Sequence, residues 1–473
     1  MIELKEEFVA LVRDMLGCEE GAALVAALDS EPVTGVRFNP RKFGAPGDDV
    51  SGSGTARFAD GLFADGRRVD WCREGLVLGT RPQFTLMPEW HGGLFYVQEP
   101  SSMVIGEVVR RLASRLGHEG LRYLDMCAAP GGKTTAALGA LPDDAFVVAN
   151  EFVPSRANIL CENLAKWGSP NSAVCCGDTS AFRKMRECFD IVAVDAPCSG
   201  EGMMRKDEEA RRQWNEGLVR QCAALQREIV NNAWEALRPG GYLIYSTCTF
   251  NRTEDEEMLH YIADELGGES MDTGVVSDFS VPGSLNPDLH AMRFMPHRTC
   301  GEGLFMGVMR KPGETGISIP KKNKGKGKKS VAQTMPKELP GLIAEPEKYV
   351  FGTCRDGDWR AITKEHTDLV ETLERNAKVL NAGIRLGTLK GKSFVPDAAL
   401  ALSSALAPGA FPRMEIDLET ALAYLRREAI TLPAGTPLGV VLITYSGIAL
   451  GFAKNLGNRA NNMYPQHWRI RHL

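Results

Sequence analysis

The pattern of apolar and polar positions divides the chain into stretches of different character. In residues 1–30, Phe8, Leu11, Val12 and Met15 recur at helical spacing, which predicts two short helices. From Val33 to about Leu94 the text turns short, rich in Gly and Pro and mixed in pattern, and segments such as GLVLGT and GLFYVQ predict strands between turns. Residues 1–96 therefore read as a small α+β module. Between Val97 and Pro312, brief apolar runs alternate with segments of helical character. The predicted strands are Leu121–Met126, Phe146–Asn150, Ala173–Cys176, Asp190–Val194 and Gly241–Thr247, and the longest predicted helix is Glu216–Leu237. Such alternation predicts an α/β domain over residues 97–312, a parallel sheet with helices on both faces. Ligands of these sheets lie beyond the carboxyl ends of the strands.

Residues 313–338 break the pattern. Their centre, PKKNKGKGKKS, holds six lysines within residues 321–329 and cannot fold alone. It reads as a tether, either simply solvated or also touching phosphates. Residues 339–473 resume a folded pattern, with helical stretches at Lys364–Leu380 and Leu418–Glu428. A strand pair, GVVLITYSGIALGFAK, turns at Ser446-Gly447. No internal repeat is evident.

Composition narrows the class. A chain of 473 residues has room for two to four domains, and 44% hydrophobic with 24% charged residues is ordinary for a globular protein. No apolar run approaches membrane-spanning length, and the acidic amphipathic start MIELKEEFVALVRDMLG does not resemble a secretory signal. Twelve cysteines without a C-x-x-C pair predict reduced thiols in a cytoplasm. Eight histidines, none clustered with cysteines, argue against a zinc site. A net charge of −5 excludes coating of nucleic acid by bulk charge but leaves room for a local basic groove.

The residues just after the predicted strands carry the chemistry. The first strand runs into LDMCAAPGGKTTAAL, whose Gly131-Gly132-Lys133-Thr134 looks like the end of a phosphate loop. Such a loop needs glycine where Cys127 stands, and Pro130 stiffens the wrap, so ATP is the weaker reading. After the second strand comes Glu151, twenty positions beyond Gly131, where nucleotide-type sheets bind a ribose hydroxyl. A helix cap is the alternative role. Asp178 follows the third strand and suits an adenine amino group or a cap.

The fourth and fifth strands end in VDAPCSG and YSTCT, which place Cys198 and Cys248 in turns beyond neighbouring strands. Cys161, Cys175 and Cys222 read as small buried hydrophobes. Two cysteines at strand ends instead suggest a thiolate nucleophile and a helper, though spacing alone does not rank them. A thiolate added to carbon 6 of a pyrimidine makes carbon 5 nucleophilic enough to accept a methyl group. A carboxyl group near ring nitrogen 3 offsets the charge that develops there.

Three segments in this order, LDMCAAPGGKT, VDAPCSGEGMMRKD and YSTCTFNRTEDE, resemble signature motifs of the RNA cytosine-C5 methyltransferases of the Sun/Nop family. The likeness covers the whole central domain and is nearest to the RsmF-type enzymes of bacterial small-subunit ribosomal RNA. It implies a class I, Rossmann-like S-adenosylmethionine-dependent sheet, with residues 339–473 similar to a PUA-like RNA-binding unit. The loop Cys127, Ala128, Ala129, Pro130, Gly131, Gly132 and Lys133 would surround the methionine end of S-adenosylmethionine. Glu151 would hold the ribose and Asp178 the adenine, while Asp195 would lie near the methyl group and the target ring. Cys248 would be the nucleophile and Cys198 the cysteine that assists release. The implied substrate is RNA, 16S rRNA alone or in the small ribosomal subunit, with tRNA, 23S rRNA or a silent assembly-factor role as alternatives. No membrane or metal is expected, and the chain is expected to be a monomer.

Contacts to RNA outside the pocket are expected from basic residues near aromatics. VRFNPRK offers Arg37, Asn39, Arg41 and Lys42. The C-terminal KNLGNRANNMYPQHWRIRHL offers Lys454, Arg459, Tyr464, Trp468, Arg469 and Arg471, the two aromatics also suiting a core. Lys206 is a candidate for holding RNA or the loop, with a surface salt bridge as the alternative. The target base, stacked in a helix, has to be flipped out or unpaired.

Overall fold

The N-terminal helices Glu6–Leu16 and Cys18–Leu28 meet at Gly17, whose φ of 82° suits a residue without Cβ. They bury Phe8, Val12, Leu24 and Leu28 against Trp214 and Phe250 of the central domain. Next comes an antiparallel sheet of β1 (Thr34–Phe38), β2 (Arg67–Val69), β3 (Cys72–Leu78) and β4 (Phe95–Val97), in the order β2-β3-β1-β4. Its apolar face gathers Phe38, Phe63, Phe84 and Phe95. In this computed structural model the described residues are 2–42, 62–314, 335–391 and 393–471. The lysine-rich stretch 320–330 lies outside them.

The central domain follows the predicted alternation. Its strands are β5 (Arg122–Asp125), β6 (Phe146–Glu151), β7 (Ser172–Cys176), β8 (Phe189–Asp195), β9 (Leu237–Thr247), β10 (Glu269–Ser270), β11 (Ala291–Phe294) and β12 (Leu304–Arg310). Strands β7-β6-β5-β8-β9 run parallel in that spatial order, and β12 joins β9 antiparallel, carrying β10 and β11. Buried on both faces, the parallel strands read as unbroken apolar runs such as IVAV in β8. One apolar cluster fills each face, with Tyr123, Val147 and Ile244 on one side and Leu124, Val148 and Leu243 on the other. The strand order reverses between β5 and β8, so the crevice for a ligand opens beyond Asp125 and Asp195.

Two boundaries differ from expectation. Strand β9 starts at Leu237 rather than Gly241, because the register skips residues between Phe189↔Leu237 and Ile191↔Tyr242. Pro239-Gly240 is thus a bulge inside a strand rather than a turn before one. The predicted helix Lys364–Leu380 covers only Thr367–Asn376 as α-helix.

The C-terminal region is more divided than a single unit. Strands β13 (Tyr349–Thr353), β14 (Trp359–Thr363), β16 (Ile384–Lys390) and β17 (Ser393–Pro396) form one four-stranded sheet. Between them β15 (Val379–Ala382) leaves for the central sheet, pairing antiparallel with the edge strand β7. Strands β18 (Arg413–Glu415), β19 (Gly439–Tyr445), β20 (Ile448–Asn455) and β21 (Ala460–Asn462) form a second sheet, in which β19 and β20 are the predicted pair. A β-strand covering the exposed β7 edge removes unpaired main-chain groups from solvent. Among the described residues, no helix is long and apolar enough to cross a membrane.

Candidate active site

Beyond β5, the loop from Met126 to Gly131 is held by its neighbours' side chains. Asn150 Nδ2 donates to the Met126 and Gly177 carbonyls (3.2 and 3.0 Å), Arg156 Nη2 to that of Ala129 (2.8 Å) and Asn163 Nδ2 to that of Pro130 (2.8 Å). Gly131 adopts φ 110°, and a Cβ there would press on Leu160 and Leu164. The helix Gly132–Ala140 begins at once, its first hydrogen bond running from Thr135 N to Gly131 O (2.8 Å). The N–H groups of Gly132, Lys133 and Thr134 therefore lie ahead of the helical ladder, an arrangement that favours an anionic group.

Four strand ends converge around this turn. Lys133 Nζ donates to Asp195 Oδ2 at 2.9 Å, and Ser246 Oγ donates to Asp195 Oδ1 at 2.9 Å. Burial works against the Lys133 ammonium, but Asp195 overcomes it and holds the group above its usual range. Thr134 Oγ1 donates to Asp125 Oδ2 (2.6 Å), while the buried Asp125 Oδ1 has no hydrogen-bond partner among the described residues. Burial, with the nearby Asp195 charge adding to it, pushes Asp125 up to about 7.

The two cysteines beyond β8 and β9 stand side by side, with Cys198 Sγ and Cys248 Sγ 3.3 Å apart and both partly open to solvent. They are not electrostatically alike. The hydrogen bond from Cys198, assisted by the Lys133 and Lys206 charges, lowers Cys248 despite burial and Asp195. Cys198 is raised, chiefly because its thiol donates that bond and also because it is half-buried. Spacing did not rank the cysteines; this asymmetry favours the thiolate on Cys248.

A buried polar network locks the two cysteine loops together. Glu201 accepts from Trp214 Nε1 (2.9 Å), Phe250 N (2.7 Å), Asn251 N (3.0 Å) and Asn251 Nδ2 (2.9 Å). Glu254 accepts from Ser199 N (3.0 Å), Gln226 Nε2 (2.7 Å) and Asn251 Nδ2 (2.9 Å), and Gly202 N donates to the Cys248 carbonyl (2.9 Å). These positioning residues stand inside the quoted motifs, yet sequence reasoning passed over them. The available signal was an acidic residue within a turn that must be rigid.

The other expected residues fall into two groups. Glu151 is buried at the end of β6, its Oε1 accepting from Val153 N (2.8 Å), and the neighbouring Phe152 is an exposed aromatic. Asp178 is exposed and accepts from Ser180 N (2.8 Å); hydrogen bonding to Ser180 lowers its carboxyl. Lys206, Lys454 and Arg459 are exposed. Arg37 and Asn39, by contrast, are not available to RNA, which corrects the expectation for both. Arg37 is buried and donates to Gln98, Gly132 and Thr135, while Asn39 Nδ2 donates to the Gly93 and Trp167 carbonyls (3.0 and 2.9 Å). Arg41 and Lys42 also donate to main-chain carbonyls, and Tyr464 and Trp468 are core residues. The physical reason is a seam: long basic side chains there satisfy carbonyl groups that water does not reach. Among the described residues no cluster of His, Cys, Asp and Glu could hold a metal ion.

Five parallel strands with antiparallel β12 beside β9, a glycine turn after β5, acids at the ends of β6 and β7, and a cysteine pair after β8 and β9 define a class I S-adenosylmethionine-dependent methyltransferase with two thiols. Residues 116–310 match the family model for the 16S rRNA methyltransferase RsmB/F, residues 4–100 that for the N-terminal domain of 16S rRNA methyltransferase RsmF, and residues 411–470 that for the methyltransferase RsmF PUA domain. The ribosomal RNA small subunit methyltransferase F of Erwinia tasmaniensis is 31% identical over 417 residues, covering 84% of each chain. The chain belongs to this ribosomal RNA small subunit methyltransferase F family. Among solved structures, a methyltransferase homologue from Pyrococcus horikoshii has a TM-score of 0.54 at 26% identity, covering 65% of this chain and 95% of that one. The NSun6 structure from Pyrococcus horikoshii with SFG shares the fold, with a TM-score of 0.52 at 18% identity, covering 66% and 99%.

Proposed function

We propose that the protein is an S-adenosylmethionine-dependent RNA (cytosine-C5) methyltransferase that forms 5-methylcytosine in 16S rRNA. The observation that carries this reading is the pair of thiols 3.3 Å apart beside the Lys133–Asp195 ion pair. The cofactor suits the residues present: free N–H groups in the turn after Gly131 for a carboxylate, Glu151 for ribose hydroxyls, and Asp178 for the adenine amino group. When bound, S-adenosylmethionine supplies an electrophilic methyl group.

Cys248, held toward its thiolate form, adds to carbon 6 of the cytosine, and the ring electron pair shifts to carbon 5 and toward nitrogen 3. Asp195 orients the Lys133 ammonium bonded to it, and that positive charge offsets the negative charge developing at that side of the ring. After methylation a base removes the carbon-5 proton, the ring double bond reforms, and Cys248 leaves as thiolate. The Cys198 thiol, already bonded to the Cys248 sulfur, stabilises that leaving group. Lys454 on β20, Arg459 in the turn after it and Lys206 near the cysteines bind RNA phosphates. The chain acts as a monomer in the cytoplasm, on 16S rRNA or the small subunit.

Methyl transfer is expected to vanish in Cys248→Ala, and a covalent protein–RNA adduct is expected to accumulate in Cys198→Ala. Full activity of Cys248→Ala would remove the nucleophile assignment. Mapping 5-methylcytosine in ribosomal and transfer RNA with and without the gene tests the substrate, and an unchanged 16S map refutes it.

A further inference from the structure

The burial of Arg37 calls for more than adhesion. Arg37 is only 3% exposed, and among the described residues no carboxylate pairs with it within 4.0 Å. Removing such a charge from water is costly unless its donors are well used, and a seam that merely had to cohere would bury apolar side chains at lower cost. The two terminal nitrogens converge on one target. Nη2 donates to Thr135 Oγ1 (2.7 Å) and the Gly132 carbonyl (3.2 Å), and Nη1 to the Thr135 carbonyl (3.4 Å). Nε donates to Gln98 Oε1 (2.7 Å), and the guanidinium lies 4.7 Å from the Trp167 ring centre. Thr135 Oγ1 in turn donates to the Gly131 carbonyl (2.8 Å).

Gly132 and Thr135 bracket Lys133 and Thr134 in the first turn of the helix Gly132–Ala140. Arg37, on β1 of the N-terminal module, therefore grips the carbonyl side of the turn whose N–H groups point ahead of the helix. A fixed positive charge bound to that turn adds to the helix's own N-terminal polarity.

We propose that Arg37 is a positioning residue for the cofactor: the N-terminal module, through this guanidinium, sets and polarises the turn that takes the carboxylate of the cofactor's amino-acid end. The inference rests on the methyltransferase reading above. It separates the module's contribution at this residue from RNA contact, because the side chain faces inward.

The test compares two ligands that differ in the amino-acid end. S-adenosylhomocysteine carries the carboxylate, and 5′-methylthioadenosine lacks it. By calorimetric titration of the full chain, Arg37→Met is expected to weaken S-adenosylhomocysteine about tenfold while leaving 5′-methylthioadenosine within about twofold. The KM for RNA is expected to stay unchanged. Equal losses for both ligands, or no loss for S-adenosylhomocysteine, overturn the inference, and a rise in the RNA KM alone restores the RNA-contact role. Should Arg37→Met fail to fold, Thr135→Val removes one acceptor of the fork and is expected to show the same selective loss at about threefold; a non-selective result overturns the inference equally. If the unaltered protein binds neither ligand, the methyltransferase reading fails first and the inference with it.

Discussion

Glu201 offers the sharpest test of how the site is held. Its carboxylate is fully buried and accepts four hydrogen bonds, one from the indole of Trp214 and three from Phe250 and Asn251 on the Cys248 loop. Each buried donor left without a partner costs about 1–3 kcal/mol, so Glu201→Ala forfeits roughly 4–12 kcal/mol. That is comparable with the whole stability of a domain, about 5–15 kcal/mol, and this variant is expected not to fold. Glu201→Gln is the informative change. Its amide oxygen continues to accept from the Phe250 and Asn251 main chain, while its NH2 meets the Trp214 and Asn251 side-chain donors head on. Two donors are thereby lost, about 2–6 kcal/mol. Urea unfolding followed by circular dichroism measures the stability, and methyl transfer per folded molecule measures the alignment. Because Glu201 ties the Cys198 loop to the Cys248 loop, a displacement of about 1 Å is expected to lower kcat about a hundredfold. A stability loss below about 1 kcal/mol, with undiminished activity, would refute the clamp.

Other expectations follow from the same site. Asp125, raised to about 7 by burial, binds its proton more tightly folded than unfolded, so the folded state carries more protons between about pH 4 and 7. Its contribution to stability is therefore present at low pH and lost as pH rises through that window; Asp125→Asn is expected to flatten this dependence in urea midpoints measured without cofactor. Cys248 is expected to be alkylated by iodoacetamide at neutral pH faster than Cys198, and Cys198→Ala to slow Cys248 labelling by removing the hydrogen bond that favours its thiolate; equal labelling rates would count against the asymmetry. Lys454→Ala and Arg459→Ala are each expected to weaken RNA binding and reduce its salt slope by about 1. Asn39→Ala is expected instead to cost about 1–3 kcal/mol of stability with no change in that slope.

Much of the central domain was legible because its parallel strands are buried on both faces. Uninterrupted apolar runs such as FVVA in β6 and IVAV in β8 have few alternatives to a covered strand. The edge of the same sheet was not legible. Val379–Ala382 is short and follows a helix directly, and only its pairing with β7 makes it a strand. The basic stretch VRFNPRK misled for a related reason. Charge predicts solvent, whereas Arg37, Asn39, Arg41 and Lys42 spend their donors on carbonyl groups at a seam between modules.

By itself, the sequence determined the order of strand ends and the chemistry each presents: a glycine turn, two acids, and two cysteines in turns. Those are local properties, set by residue type and by position after a strand. Only the tertiary structure decided which of these groups act on one another. The 3.3 Å between Cys198 and Cys248, the Lys133–Asp195 pair and the Glu201 clamp join residues about 50 or 60 positions apart. The difference between the two thiols likewise arises from a hydrogen bond and from charges that arrive on other strands. Such distances follow from which strands lie side by side, and no spacing along the chain encodes them.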